Sequence, residues 1–119
     1  MKRVVVLVVE DEPFLRMVAV DLVEEAGFEA VQAANADQAV RILEARVDIR
    51  IVFTDIDMPG SMDGMKLAMA IRGRWPPIEV ILMSGLYNIE KDALPERSVF
   101  FRKPYNHNEI IATIQRMAA

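Results

Sequence analysis

A doubly wound α/β fold on a five-stranded parallel sheet is predicted by three features of this 119-residue sequence. Short apolar runs alternate with amphipathic stretches along the whole chain. The runs scarcely alternate in polarity, which is how strands buried on both faces read. The stretches between them carry helix caps and stops where helices should begin and end. No repeat, low-complexity tract or linker breaks the pattern. The expectation is therefore one domain over 1–119, with no output domain in this chain.

The elements follow in order. "VVVLVV" (4–9) is the first strand. Pro13 suits a first helical turn, and Leu15, Val18, Leu22 and Ala26 share one face before Gly27 stops the helix. "FEAVQAA" (28–34) is a weaker second strand with partial alternation. Asn35 and Gln38 have capping-box spacing and open a helix with Ala36, Val40 and Leu43 inward. "IRIVF" (49–53) is the third strand, and a helix from near Asp63 to about Arg72 follows, broken by Trp75-Pro76-Pro77. Trp75 is expected to cover that helix end, with Met58, Met62, Met65 and Met69 as core filler. "VILM" (80–83) is the fourth strand. The fourth helix is the weak one: only Leu86, Ile89 and Ala93 keep helical spacing before Pro95, enough for one or two turns. "VFF" (99–101) is the fifth strand. Asn106 with Glu109 then caps a last helix with Ile110, Ile114 and Met117 inward, and His107 in its first turn reads as surface.

Composition narrows the function classes. The chain is 53% hydrophobic and 27% charged, as ordinary globular domains are. With no Cys there is no thiol nucleophile, thiolate metal site or disulfide. The net charge of −4, without a basic stripe, argues against nucleic acid as a partner. The apolar run after Lys2-Arg3 ends at Glu10, too short for a signal peptide or membrane span. A cytoplasmic protein that does not engage a membrane is expected.

In open parallel sheets, ligands bind at the carboxyl ends of the strands. Here those ends carry Glu10 and Asp11 after the first strand, and Asp55 and Asp57 after the third. Ser84 follows the fourth and Lys103 the fifth. Each has an ordinary use alone: acids precap helices, as Glu12 does before Pro13, Asp-x-Asp before Pro59-Gly60 suits a turn, and a lone Ser or Lys is commonplace. Their convergence on one edge is more specific than any one of them. Two carboxylates 4 Å apart repel by roughly 4 kcal/mol at an effective dielectric of about 20, so the cluster calls for a cation. Oxygen ligands favour Mg²⁺ or Mn²⁺, and Mg²⁺ commonly brings phosphate oxygens with it. Asp55 is then placed as a nucleophile toward phosphorus, with Lys103 and the Ser84 hydroxyl for the remaining phosphoryl oxygens.

These residues resemble a known family. "VVEDEP", "VFTDIDMPGSMDG", "VILMSG" and "FFRKP", in this order, are similar to the motifs of the receiver domain of two-component response regulators, over essentially the whole chain. The resemblance implies a stand-alone, flavodoxin-like (βα)₅ receiver in which Asp55 is the phosphoacceptor. Asp11 would bind Mg²⁺ directly, with Glu10 behind it, partly through water, and Asp55 and the backbone carbonyl of Asp57 would complete the protein ligands. Ser84 and Lys103 would grip the phosphoryl group, and Phe100 would be the switch aromatic, moving only as an apolar wedge. The implied donor is a sensor histidine kinase or histidine phosphotransferase. The implied output is regulated binding of a protein target through the fourth helix, fifth strand and last helix, by a monomer or weak dimer, ended by slow self-catalysed hydrolysis. Because Leu86 cannot position a water, the phosphorylated form is expected not to be especially short-lived.

Gly60-Ser61 makes the loop one residue longer than the family's commonest form, and the stretch from Ser84 to Lys103 is shorter than usual. Either the chain works alone or it is a fragment. Haloacid-dehalogenase-type phosphatases also carry Asp-x-Asp, but on the first strand of a larger domain. A Toprim-type nucleic acid enzyme would use Glu10, Asp55 and Asp57 but leaves Ser84 and Lys103 unexplained. The stronger rival is a receiver-like docking module that works independently of phosphorylation.

Overall fold

The apolar runs become the middle layer of a sandwich in a computed structural model that describes residues 4–60 and 62–119. Strands β1 (Val5–Val9), β2 (Glu29–Ala33), β3 (Ile49–Asp55), β4 (Glu79–Ser84) and β5 (Ser98–Arg102) pair in parallel in the order β2-β1-β3-β4-β5. Helices α1 (Pro13–Glu25) and α4 (His107–Ala118) cover one face, and α2 (Ala36–Ala45) and α3 (Gly64–Arg74) the other. Strand periodicity divides the core accordingly. Val6, Val8, Phe53 and Ile81 pack toward Leu22, Val23, Ile110 and Ile114. Leu7, Val9, Val52 and Leu82 pack toward Leu43, Leu67 and Ile71. The central strands β1, β3 and β4 are buried almost throughout, which is why their sequences read as unbroken apolar runs. The loop residue Ser61 lies outside the described residues, so the longer loop expected there is not described.

Helix ends match their capping chemistry. Glu12 accepts from the backbone N–H groups of Phe14 and Leu15, Asn35 from Gln38, Asp63 from Lys66 and Asn106 from Glu109. Trp75 closes α3, half-buried, with the Arg74 guanidinium 4.3 Å over its ring.

Two expectations need correction, on α1 and on α3. The inward face of α1 is Ala19, Leu22, Val23 and Ala26, while Leu15 is 44% exposed, because the first turn starts at the rim with no sheet beneath it. On α2 the expected face does point inward: Ala36 and Leu43 are buried and Val40 packs against the core, with Ala39 buried beside them. Met69 is exposed rather than core filler, on the solvent side of α3; Met58 is buried and Met62 and Met65 pack against the core.

The fourth connection is thinner still than its weak pattern suggested. It holds no α-helix, only a 3₁₀ turn at Lys91–Ala93. Two backbone N–H groups at its start, those of Leu86 and Tyr87, go to the Ser84 hydroxyl instead of a helical ladder. At its end Pro95 stops any helix, and Arg97 turns the chain with φ of 64° so that its carbonyl accepts from Val80 at 2.8 Å.

Candidate functional site

Parallel register sets the strand ends side by side. Val9 pairs with Thr54, Asp55 with Met83, and Ser84 with Arg102. Residues just past those ends therefore share one rim. Glu10, Asp11 and Asp55 each place one carboxylate oxygen within 4.8 Å of the others. Lys103 reaches in from beyond β5: its Nζ is 3.1 Å from Asp55 Oδ2 and 3.6 Å from Glu10 Oε1. Both acids are buried, at 3% and 4% exposure, so these contacts act in a medium far less screening than water.

Local structure holds each group in place. The β1–α1 loop is pinned by Arg16, which donates to the Glu10 carbonyl at 2.9 Å and to Gln32 at 3.1 Å. Glu10 Oε2 accepts from the Glu12 N–H. Asp55 Oδ1 accepts from the Asp57 N–H at 3.2 Å, and the Thr54 hydroxyl donates to the Asp55 carbonyl. Gly64 opens α3 directly against the Asp55 and Ile56 backbone; a Cβ there would collide with the Asp55 carbonyl oxygen and lie 2.8 Å from Ile56 Cα.

Protonation follows from burial and neighbours. Burial, helped by the Asp55 charge, pushes Glu10 up to about 7 against the pull of the Glu12 N–H and Lys103. Burial works to lower Lys103, but the Asp55 hydrogen bond and the charges of Asp55 and Glu10 outweigh it and raise its pKa, so it is a firm ammonium. Tyr105 is raised chiefly by burial and remains a neutral phenol.

Crowded carboxylates around a single ammonium suit a hard divalent cation. The donor set is all oxygen, and three side chains converge with one atom each from the loop after β1 and the end of β3. Glu10, Asp11 and Asp55 therefore fit Mg²⁺, which would supply charge neutralisation and a fixed place for phosphoryl oxygens.

Ser84 makes its contacts away from Asp55 in this structure. Its Oγ donates to Asp57 Oδ2 at 2.8 Å, and the same carboxylate oxygen accepts from the Gly85 N–H at 3.3 Å. The Asp57 side chain is thus turned to the start of the fourth connection. Phe100 is half-buried beside Ile89 and Leu94, one strand over from Leu82. His107 is exposed, with its ring 5.7 Å from that of Tyr105.

Gly64, Arg16 and Tyr105 were not legible as site residues. Tyr105 packs edge-on to Phe53 at 6.1 Å and, with Leu15, Val18 and Pro104, lines an open cleft beside Lys103. Only the glycine of "MDG" carried a signal, since a glycine opening a helix marks a close backbone approach.

Comparison with known proteins agrees along the chain. The family model described as response regulator receiver domain matches residues 6–115. The chain is 32% identical over 115 residues to the nitrogen assimilation regulatory protein NtrX of Azorhizobium caulinodans, an alignment covering 93% of this chain and 25% of that protein. It spans about a quarter of the length of the curated relatives it matches first. The receiver domain of NtrX from Brucella abortus superposes with a TM-score of 0.82 at 32% identity, covering 94% of this chain and 96% of that one. A receiver protein from Sinorhizobium medicae superposes at 0.89 and 23% identity over 98% and 94%, a likeness of fold. No helix among the described residues is long and apolar enough to cross a membrane.

Proposed function

Because the chain belongs to the response regulator receiver family, we propose that it accepts a phosphoryl group on Asp55 from a phosphohistidine and so regulates the binding of a protein target. The observation that carries this reading is the Lys103 ammonium, 3.1 Å from Asp55 inside a cluster of three acids on one sheet rim. In the proposed step an Asp55 carboxylate oxygen attacks phosphorus, the O–P bond forms and the donor N–P bond breaks. The electron pair leaves on the imidazole nitrogen, which takes a proton from solvent. Lys103 neutralises charge on the transferring oxygens, and Ser84 donates to one of them once the bond is made. Asp11, Glu10, Asp55 and the Asp57 carbonyl would hold Mg²⁺, with Mn²⁺ a usable substitute, and the ion would neutralise charge on the transferring phosphoryl oxygens.

The donor is a sensor histidine kinase or histidine phosphotransferase, met in the cytoplasm by a monomer or weak dimer. Phe100 acts as an apolar wedge that follows Ser84, altering the face made by the fourth connection, β5 and α4. Hydrolysis returns the domain to rest over longer than seconds, because the exposed Leu86 offers no group to orient water.

The test is intact-mass analysis after incubation with acetyl phosphate and Mg²⁺. A single phosphoryl adduct is expected, lost in Asp55→Asn and in a chelator. A folded protein that binds Mg²⁺ yet gains no adduct from acetyl phosphate or from phosphorylated kinase points instead to a docking module independent of phosphorylation.

A further inference from the structure

We propose that the Asp57 carboxylate is a positioning group that latches the Ser84 hydroxyl in the resting state, so that phosphorylation must win this proton away from Asp57. The inference rests on the phosphoacceptor reading of Asp55. A hydroxyl has one proton to donate. In this structure Ser84 spends it on Asp57 Oδ2 at 2.8 Å, and the oxygen of the same hydroxyl accepts from the N–H groups of Leu86 at 3.0 Å and Tyr87 at 2.9 Å. Ser84 is fully buried, so no exposed rotamer competes. While the latch is closed the hydroxyl has nothing to offer a phosphoryl oxygen on Asp55.

The latch is also built to open. Asp57 Oδ2 takes two donors, but Oδ1 is buried with no hydrogen-bond partner among the described residues. A buried acceptor left without a donor carries an uncompensated desolvation cost, so the closed latch bears a penalty that is relieved when Asp57 swings out to water. Asp57 also sits two residues from Asp55, to which its own N–H is bonded, so a phosphoryl group on Asp55 brings a second concentrated anion beside it. That group competes for the Ser84 proton and repels Asp57 at once. When Ser84 turns, the Leu86 and Tyr87 amides lose their acceptor, and the first residues of the fourth connection move with it. The contact thereby links the chemistry to a segment that has no helix of its own.

Acetyl phosphate kinetics followed by intact mass, together with amide NMR of the resting protein, test this on the full chain. Asp57→Ala should speed phosphorylation about tenfold, and Asp57→Asn, neutral but still an acceptor, about threefold, since a resting state that sequesters the hydroxyl taxes the reaction by its population. In a Ser84→Ala background both gains should fall below about twofold, the signature of two residues acting as one unit. The resting Leu86 and Tyr87 amide signals should shift in Asp57→Ala and stay near wild type in Asp57→Asn. Equal gains with and without Ser84, or equal gains from Ala and Asn, would mean that Asp57 acts through its charge alone, and the latch is wrong. Unmoved Leu86 and Tyr87 signals in Asp57→Ala would overturn it as well. If wild type forms no adduct with acetyl phosphate or with phosphorylated kinase, the phosphoacceptor reading fails, while the amide signals still decide whether the latch exists.

Discussion

Gly64 sets the tightest tolerance around Asp55. Any side chain there drives into the Asp55 and Ile56 backbone, so relief requires moving either the helix start or the end of β3. Gly64→Ala is expected to destabilise the fold by about 1–3 kcal/mol, as overpacking does, and to slow phosphorylation by displacing the acceptor. Urea unfolding and the acetyl phosphate reaction check the two halves of that expectation. What the sequence disclosed at this scale divides by distance. Glu10, Asp11, Asp55, Ser84 and Lys103 could be placed on one rim because each ends or closely follows a strand, and parallel strands end on a common edge. The Asp57–Ser84 bond was not, because its partners lie 27 residues apart and side-chain direction past a strand end is a tertiary outcome. Tyr105 was hidden for the same reason: nothing local distinguishes a tyrosine after Lys-Pro from any surface ring.

Among the elements, the fourth connection is the odd one. It leaves β4 tied to the Ser84 hydroxyl, makes one 3₁₀ turn and returns through Arg97, with Ile89 and Leu94 half-buried as its apolar contacts with the core. Few buried contacts and a short ladder predict low local stability. Hydrogen exchange should find residues 85–97 among the least protected internal segments, with Leu86 and Tyr87 slower than their neighbours because their N–H groups are bonded. Uniformly high protection there would contradict it. The regular elements were legible, since caps and apolar runs are local signals, and β5 keeps its strand pattern despite half-burial at the sheet edge. On α1 only Leu15 departs from the expected face, because helical spacing cannot tell which turn overhangs the sheet. Phe14, Leu15 and Met17 consequently stand exposed at the rim, where a pattern alone placed Leu15 inside.

For the whole molecule, the acidic rim makes stability depend on pH. Glu10 titrates near 4.5 when unfolded and at about 7 when folded, so through that window the folded chain keeps a proton that the unfolded chain has lost. Stability of the ion-free protein should therefore fall as pH rises from 4.5 to 7 and carry the full penalty above it. Glu10→Gln should flatten the fall. Mg²⁺ favours the carboxylate, so its apparent affinity should rise as pH passes 7, with stabilisation of about 2.7 kcal/mol at a hundredfold excess over Kd. Urea midpoints at pH 5 and 8, in chelator and in Mg²⁺, measure all three effects. The rim has one more property, set by the position of Asp55 between the two helical layers. Leu15, Pro104 and Tyr105 flank it on the side of α1 and α4, whereas Pro59, Leu86 and Tyr87 flank it on the side of α3. Apolar side chains of both helical layers thus border the acid cluster, one group on each face of the sheet.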